Sequence, residues 1–153
     1  MLAACVSSIG AYYHHYSSPD SADGLYNQLK WMYNNSTNTN YPTGIPLWIG
    51  RAFNYYGLSY YYTESGMNYL STAAILATGN PIYASLSNAD QTSAHGVVIC
   101  GYTSAPGSGY YYKLMDPNIN YLVWAGVSSN PNVYTFSYGG YNYWRRYFYS
   151  AYY

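Results

Sequence analysis

The sequence predicts an α+β fold, with helices in its first half and an antiparallel β-sheet in its second, on three observations. Apolar residues before Pro81 recur at three- and four-residue spacing, the period of a helix face. After Pro81 they gather in short runs rich in Val, Ile and Tyr. Gly107-Ser108-Gly109 and Gly139-Gly140 separate neighbouring runs as hairpin turns would. Third, 153 residues of which 50% are hydrophobic can bury one core, and no internal repeat or boundary divides residues 1–153 into more than one domain.

Over residues 2–16, the positions Leu2, Val6, Ile9, Tyr12, Tyr13 and Tyr16 make one helical stripe, which Ser17-Ser18-Pro19-Asp20 ends. A second helix over 21–33 carries Leu25, Leu29 and Met32, and the polar run 34–40 after it reads as a loop. Gly44-Ile45-Pro46 introduces a third helix with Leu47, Ile49, Ala52, Phe53 and Tyr56 on its apolar face and Gly57 as its stop. A strand fits 59–63, and a helix over 67–77 is closed by Thr78-Gly79-Asn80-Pro81. Strands are expected at 82–86, 96–102, 110–115, 121–127, 133–138 and 141–149, the aromatic tail reading as a final hairpin of the same sheet.

Charge narrows the functional classes. Only 7% of residues are charged and the formal net charge is zero, which lacks the electrostatic footprint of a nucleic-acid or anionic-membrane binder. The outlier is tyrosine, with 26 copies. A phenol packs like an apolar ring yet tolerates water, so Tyr and Asn can keep a low-charge surface wet. That surface points to a secreted or cell-surface bacterial protein, with compositional drift as the plainer explanation. Cys5 and Cys100 are too few for a disulfide framework. No run of 18 apolar residues is present, so no membrane-spanning helix is expected. The first six residues lack the basic start of a secretory signal, which places any export signal outside this chain.

The three histidines differ in setting. His14 and His15 stand at the polar end of the first expected helix, where a solvated helix end accounts for them and no metal-ligand spacing links them to other residues. His95 instead immediately precedes Gly96-Val97-Val98-Ile99-Cys100-Gly101-Tyr102, the strongest buried-strand candidate. An imidazole at the mouth of such a strand is held rigidly while staying reachable from solvent, as a general base requires. After a hairpin the chain returns through 110–115 and delivers Asp116-Pro117-Asn118. A carboxylate there can fix the tautomer of His95 and stabilise its imidazolium. The plainer reading is a core-edge histidine bonded to a turn carboxylate.

Three segments carry a family resemblance. Met1-Leu2-Ala3-Ala4-Cys5-Val6-Ser7-Ser8-Ile9-Gly10-Ala11-Tyr12-Tyr13 resembles the opening of bacterial papain-like cysteine peptidases, whose active helix reads Cys-Trp-Ala-Ala before a small and apolar stretch ending in Tyr. Ala94-His95-Gly96-Val97-Val98-Ile99-Cys100-Gly101-Tyr102 is similar to the family's His-Ala-Val-Val-Ile-x-Gly-Tyr strand, and Met115-Asp116-Pro117-Asn118 to its Asp-Pro or Asn-Pro motif. The clan includes papain, double-glycine bacteriocin-processing and streptopain-like peptidases. The resemblance implies a papain-like fold, N-terminal helices packed on a C-terminal antiparallel sheet with a cleft between them. It also implies peptide-bond hydrolysis through a Cys-His-Asp site, a peptide or protein substrate, and no metal or organic cofactor.

The nucleophile has two registers. In the favoured one it belongs at position 1, where this chain has Met1, with Leu2 in place of the usual Trp. A thioether cannot attack as a thiolate does, so the chain as given would be inactive or cut off at its amino end, the family's oxyanion-hole Gln lying upstream. Cys5 is then a small core residue. In the other register Cys5-Val6-Ser7-Ser8 resembles the Cys-Val-Ala-Thr opening of streptopain-like peptidases, and the site is Cys5, His95 and Asp116. A peptidase-like binding or adhesion module without catalysis is the competing reading.

Overall fold

The computed structural model describes residues 5, 8–10, 50, 53–54, 57–105, 109–119, 121–127, 130–132 and 136–150. The helix expected over 21–33, the polar run after it and the pair His14 and His15 lie outside these residues, as does Met1.

Among the described residues the architecture is mixed α and β, built on a six-stranded antiparallel sheet with few helices. Its strands are β1 (Tyr60–Thr63), β2 (Ile82–Ser87), β3 (Ala94–Ala105), β4 (Gly109–Met115), β5 (Leu122–Gly126) and β6 (Tyr143–Ser150), in the spatial order β1-β6-β2-β3-β4-β5. The tail is therefore not a terminal hairpin of the sheet. β6 inserts between β1 and β2, its Phe148 opposite Tyr62 on one side and Tyr83 on the other. Of the strand expected over 133–138, residues 133–135 are not described; Phe136 and Tyr138 make isolated bridges to Val127 and Tyr141.

Alternation along the strands buries both faces of the sheet. On one face Ile82, Ala84, Leu86, Val97, Ile99, Tyr112, Leu114 and Trp144 form the main core with Tyr69 and Phe136. The helix Tyr69–Ala77 lies on this side, Tyr69 stacking on Tyr112 with centroids 5.7 Å apart. It starts two residues later than its composition implied because Asn68 caps it, the Asn68 Oδ1 accepting the Ser71 N–H at 2.8 Å. On the other face Tyr83 and Phe148 meet Phe53 and Tyr60. Burying each such ring contributes about 1.5–3 kcal/mol. Cys5 and Ser8–Gly10 are helical, with Cys5 and Ile9 buried; Gly50, Phe53 and Asn54 are helical and Gly57 is in a turn.

Gly96 shows why these layers close so tightly. A Cβ at that position would lie 2.8 Å from the hydroxyl of Tyr83, itself buried on β2. Only glycine lets the ring cross there.

Two bulges re-aim side chains near the start of β3. Between β2 and β6 the register slips at Ser85/Leu86, leaving Arg145 as the extra residue. Its Nε donates to Ser87 Oγ at 2.9 Å and a terminal nitrogen to the Ala89 carbonyl at 3.1 Å, which fastens the loop leading to His95. Between β3 and β4 the slip falls between Ile99 and Gly101, and it sets Cys100 on the exposed side.

Candidate active site

β-sheet register brings His95 and Asp116 together. β3 and β4 pair antiparallel with Val98 opposite Met115. One step further sets Asp116, the first residue after β4, beside Val97, and His95 is two residues from Val97 on the same face. The imidazole Nε2 lies 3.0 Å from Asp116 Oδ2. His95 is within β3, opposite Leu86, rather than ahead of the strand. It is only 6% exposed, so the ring is more enclosed than a position at the strand mouth implied.

The carboxylate is saturated with donors. Oδ1 accepts the Asn118 N–H at 2.9 Å, and Oδ2 accepts the Tyr138 hydroxyl at 2.8 Å in addition to His95. Burial works to raise the Asp116 pKa, but these three donors together outweigh it and hold the group below the usual carboxylate value. The same carboxylate has the reverse effect on Tyr138, whose pKa rises to about 12 through burial and the bond to Asp116. Tyr138 thus stays a hydroxyl donor across the whole neutral range. With Nε2 directed at Asp116, Nδ1 is the ring nitrogen through which His95 can exchange a proton with a reacting group.

Aromatic rings enclose the imidazole. Tyr141 lies nearly parallel to it, centroids 5.4 Å apart at 17°, and Tyr138 stacks at 6.2 Å and 26°. Both tyrosines come from one tight hairpin. Tyr138 and Tyr141 exchange two backbone hydrogen bonds, at 3.1 and 3.0 Å, across Gly139 and Gly140, whose φ values of 58° and 86° give the I′ turn that a Gly-Gly pair favours. The sequence marks that turn, but nothing in the sequence places it over His95.

The third candidate, Cys5, also reaches this region. Its Sγ donates to the Gly96 carbonyl at 3.4 Å, so the helical segment carrying Cys5 packs on β3 one residue from His95. The thiol is fully buried, and burial, with a smaller contribution from the Asp116 charge, pushes its pKa up to about 12. At neutral pH it is a protonated core group, not a thiolate. The other thiol, Cys100, borders a separate cavity of about 260 Å³ with Ile9, Val98, Met115 and Leu122.

Among the described residues, no group of three or more His, Cys, Asp or Glu side chains is arranged to hold a metal ion. Among the same residues, no helix is long and apolar enough to cross a membrane. No protein-family model matches the chain, and no curated protein matches it.

Proposed function

We propose that the chain is a papain-like cysteine-peptidase domain in which His95 and Asp116 are the proton-handling pair. The observation that carries this reading is the 3.0 Å bond from His95 Nε2 to a buried, donor-saturated carboxylate, beside the packing of the Cys5-bearing segment on Gly96. In the reaction a thiolate attacks the peptide carbonyl carbon, and His95 gives the proton it has taken to the leaving amine. Water then hydrolyses the thioester, His95 acting as base, while Asp116 steadies the imidazolium.

The attacking sulfur in this reading belongs one helical turn before Cys5, at the position of Met1. The burial of Cys5 and its raised pKa speak against the alternative register. The setting is extracellular and bacterial, in keeping with a surface that exposes Tyr61, Tyr121 and Trp124 and little charge. The raised, buried thiol equally favours a second reading, a non-catalytic peptide-binding module on the same fold.

The test is Met1→Cys in the full chain, assayed by alkylation with iodoacetamide, mass spectrometry and turnover of unstructured peptides. Rapid labelling of the new thiol and hydrolysis that His95→Ala abolishes are expected, with the unsubstituted chain inert. A new thiol that labels no faster than free cysteine, with no turnover, would overturn the peptidase reading. Peptide binding retained by such a chain would favour the binding module.

A further inference from the structure

Three strong donors converge on Asp116, and one of them comes from an element that the resemblance to peptidases does not involve. Tyr138 lies 22 residues along the chain from Asp116, yet its hydroxyl shares Oδ2 with His95 Nε2. The hairpin that carries it is fastened on its other side too, because the Tyr141 hydroxyl lies 3.2 Å from Ser93 Oγ, two residues before His95. One arm of the turn therefore grips the carboxylate and the other grips the approach to the imidazole. Gly139 and Gly140 set the distance between the arms by a backbone conformation that L side chains rarely adopt.

We propose that the Tyr138–Tyr141 hairpin is the positioning device of the His95–Asp116 pair, with the Tyr138 hydroxyl holding the Asp116 carboxylate in the orientation that directs Oδ2 at His95 Nε2. A carboxylate on a turn can rotate about its terminal bond, and a bond to one oxygen from Asn118 leaves the other to be set by its partners. The phenol supplies that constraint from outside the turn. Its ring also stacks on the imidazole, with centroids 6.2 Å apart. Tyr138 is a positioning residue, its hydroxyl acting on His95 through Asp116. The catalytic meaning of this device rests on the function proposed above.

Tyr138→Phe keeps the ring and removes only the hydroxyl. The readouts are the His95 Nε2–H proton exchange rate and the carboxyl-carbon titration of Asp116, both by NMR on the full chain. Loss of one charge-assisted bond predicts exchange faster by about tenfold, together with an Asp116 titration moved up toward the ordinary carboxylate value. A folded Tyr138→Phe variant with both readouts unchanged would overturn the proposal. The reciprocal variant guards against misfolding of the first. In Asp116→Asn the Tyr138 ring-carbon titration, at about 12 in the parent chain, is expected to fall toward the ordinary tyrosine range, and an unmoved midpoint would equally sink the idea. Neither measurement uses peptide turnover, so a Met1→Cys chain that hydrolyses nothing would end the peptidase reading and leave this result standing.

Discussion

Cys5, which packs on Gly96 of β3, and the His95–Asp116 pair beside it are both buried, and burial has opposite consequences for them. Around Asp116 three donors converge on two oxygens, so the charged form is held below its usual pKa in spite of desolvation. Around Cys5 the partner among the described residues is the Gly96 carbonyl, which accepts from the neutral thiol and offers nothing to a thiolate. Desolvation then outweighs the lowering pull of the amino-terminal charge, and the pKa rises. The contrast teaches that low accessibility alone says little about whether a group is charged. What decides is whether the neighbours stabilise the charged form or the neutral one.

The largest way to break this contrast is to remove the acceptor. Asp116→Ala leaves His95 Nε2, the Tyr138 hydroxyl and the Asn118 N–H without their common partner. A loss of about 3 kcal/mol in urea unfolding is expected. Cys5→Ala removes a small side chain from a tight site and should cost only about 1 kcal/mol at pH 7.

The two groups also predict opposite pH limbs. The Asp116 pKa is lower in the folded chain than its ordinary 3.8, so its contribution is present above that pH and is lost as pH falls through the folded value. The Cys5 pKa is higher in the folded chain than its ordinary 9.0, so its contribution is intact below pH 9 and is lost as pH rises toward about 12. Stability measured by chemical unfolding should fall by about 1.4 kcal/mol per pH unit from pH 9 through loss of the thiol proton. The fall should be steeper above pH 10, where Tyr62, Tyr112 and Tyr138, whose pKa values are also raised, add to the decline. Cys5→Ala should delay the alkaline decline until the buried tyrosines titrate. Asp116→Asn should flatten the acid limb and leave most of the thiol's part of the alkaline one, which desolvation dominates.

The smallest effect sharpens the comparison from the apolar side. Tyr112 is fully buried in the main core, and among the described residues its hydroxyl makes no well-formed hydrogen bond, Thr72 being the polar side chain beside it. Unlike Tyr138, it loses nothing with its oxygen, so Tyr112→Phe should change unfolding stability by less than about 1 kcal/mol, and in the stabilising direction.

The strands next to the site were legible because their signals are local. The run from Gly96 to Tyr102 is apolar without interruption, Asp116-Pro117 marks the end of the returning strand, and Gly139-Gly140 can hardly be anything but a tight turn. The helix Tyr69–Ala77 was visible too, although its start was read two residues early, before the cap at Asn68. What eluded the sequence depends on partners distant along the chain. β6 reads as the end of a hairpin, yet it lies between β1 and β2, because Phe148 packs against Phe53, Tyr60 and Tyr83 from three other segments. The enclosure of His95 was missed for the same reason: one tyrosine among 26 carries no mark that it is the one bonded to Asp116.

By itself, the sequence determined that the chain mixes helix with an antiparallel sheet, that charge is scarce, and that a histidine and an aspartate stand at the ends of neighbouring strands. Those follow from hydrophobic period, composition and turn chemistry, each of which acts over a few residues. The tertiary structure alone decided that Asp116 receives three donors, that Tyr138 and Tyr141 enclose His95, and that Cys5 is sealed as a neutral thiol. Charge state and orientation in a buried site are set by groups brought together from far along the chain, and only the packed fold makes them neighbours.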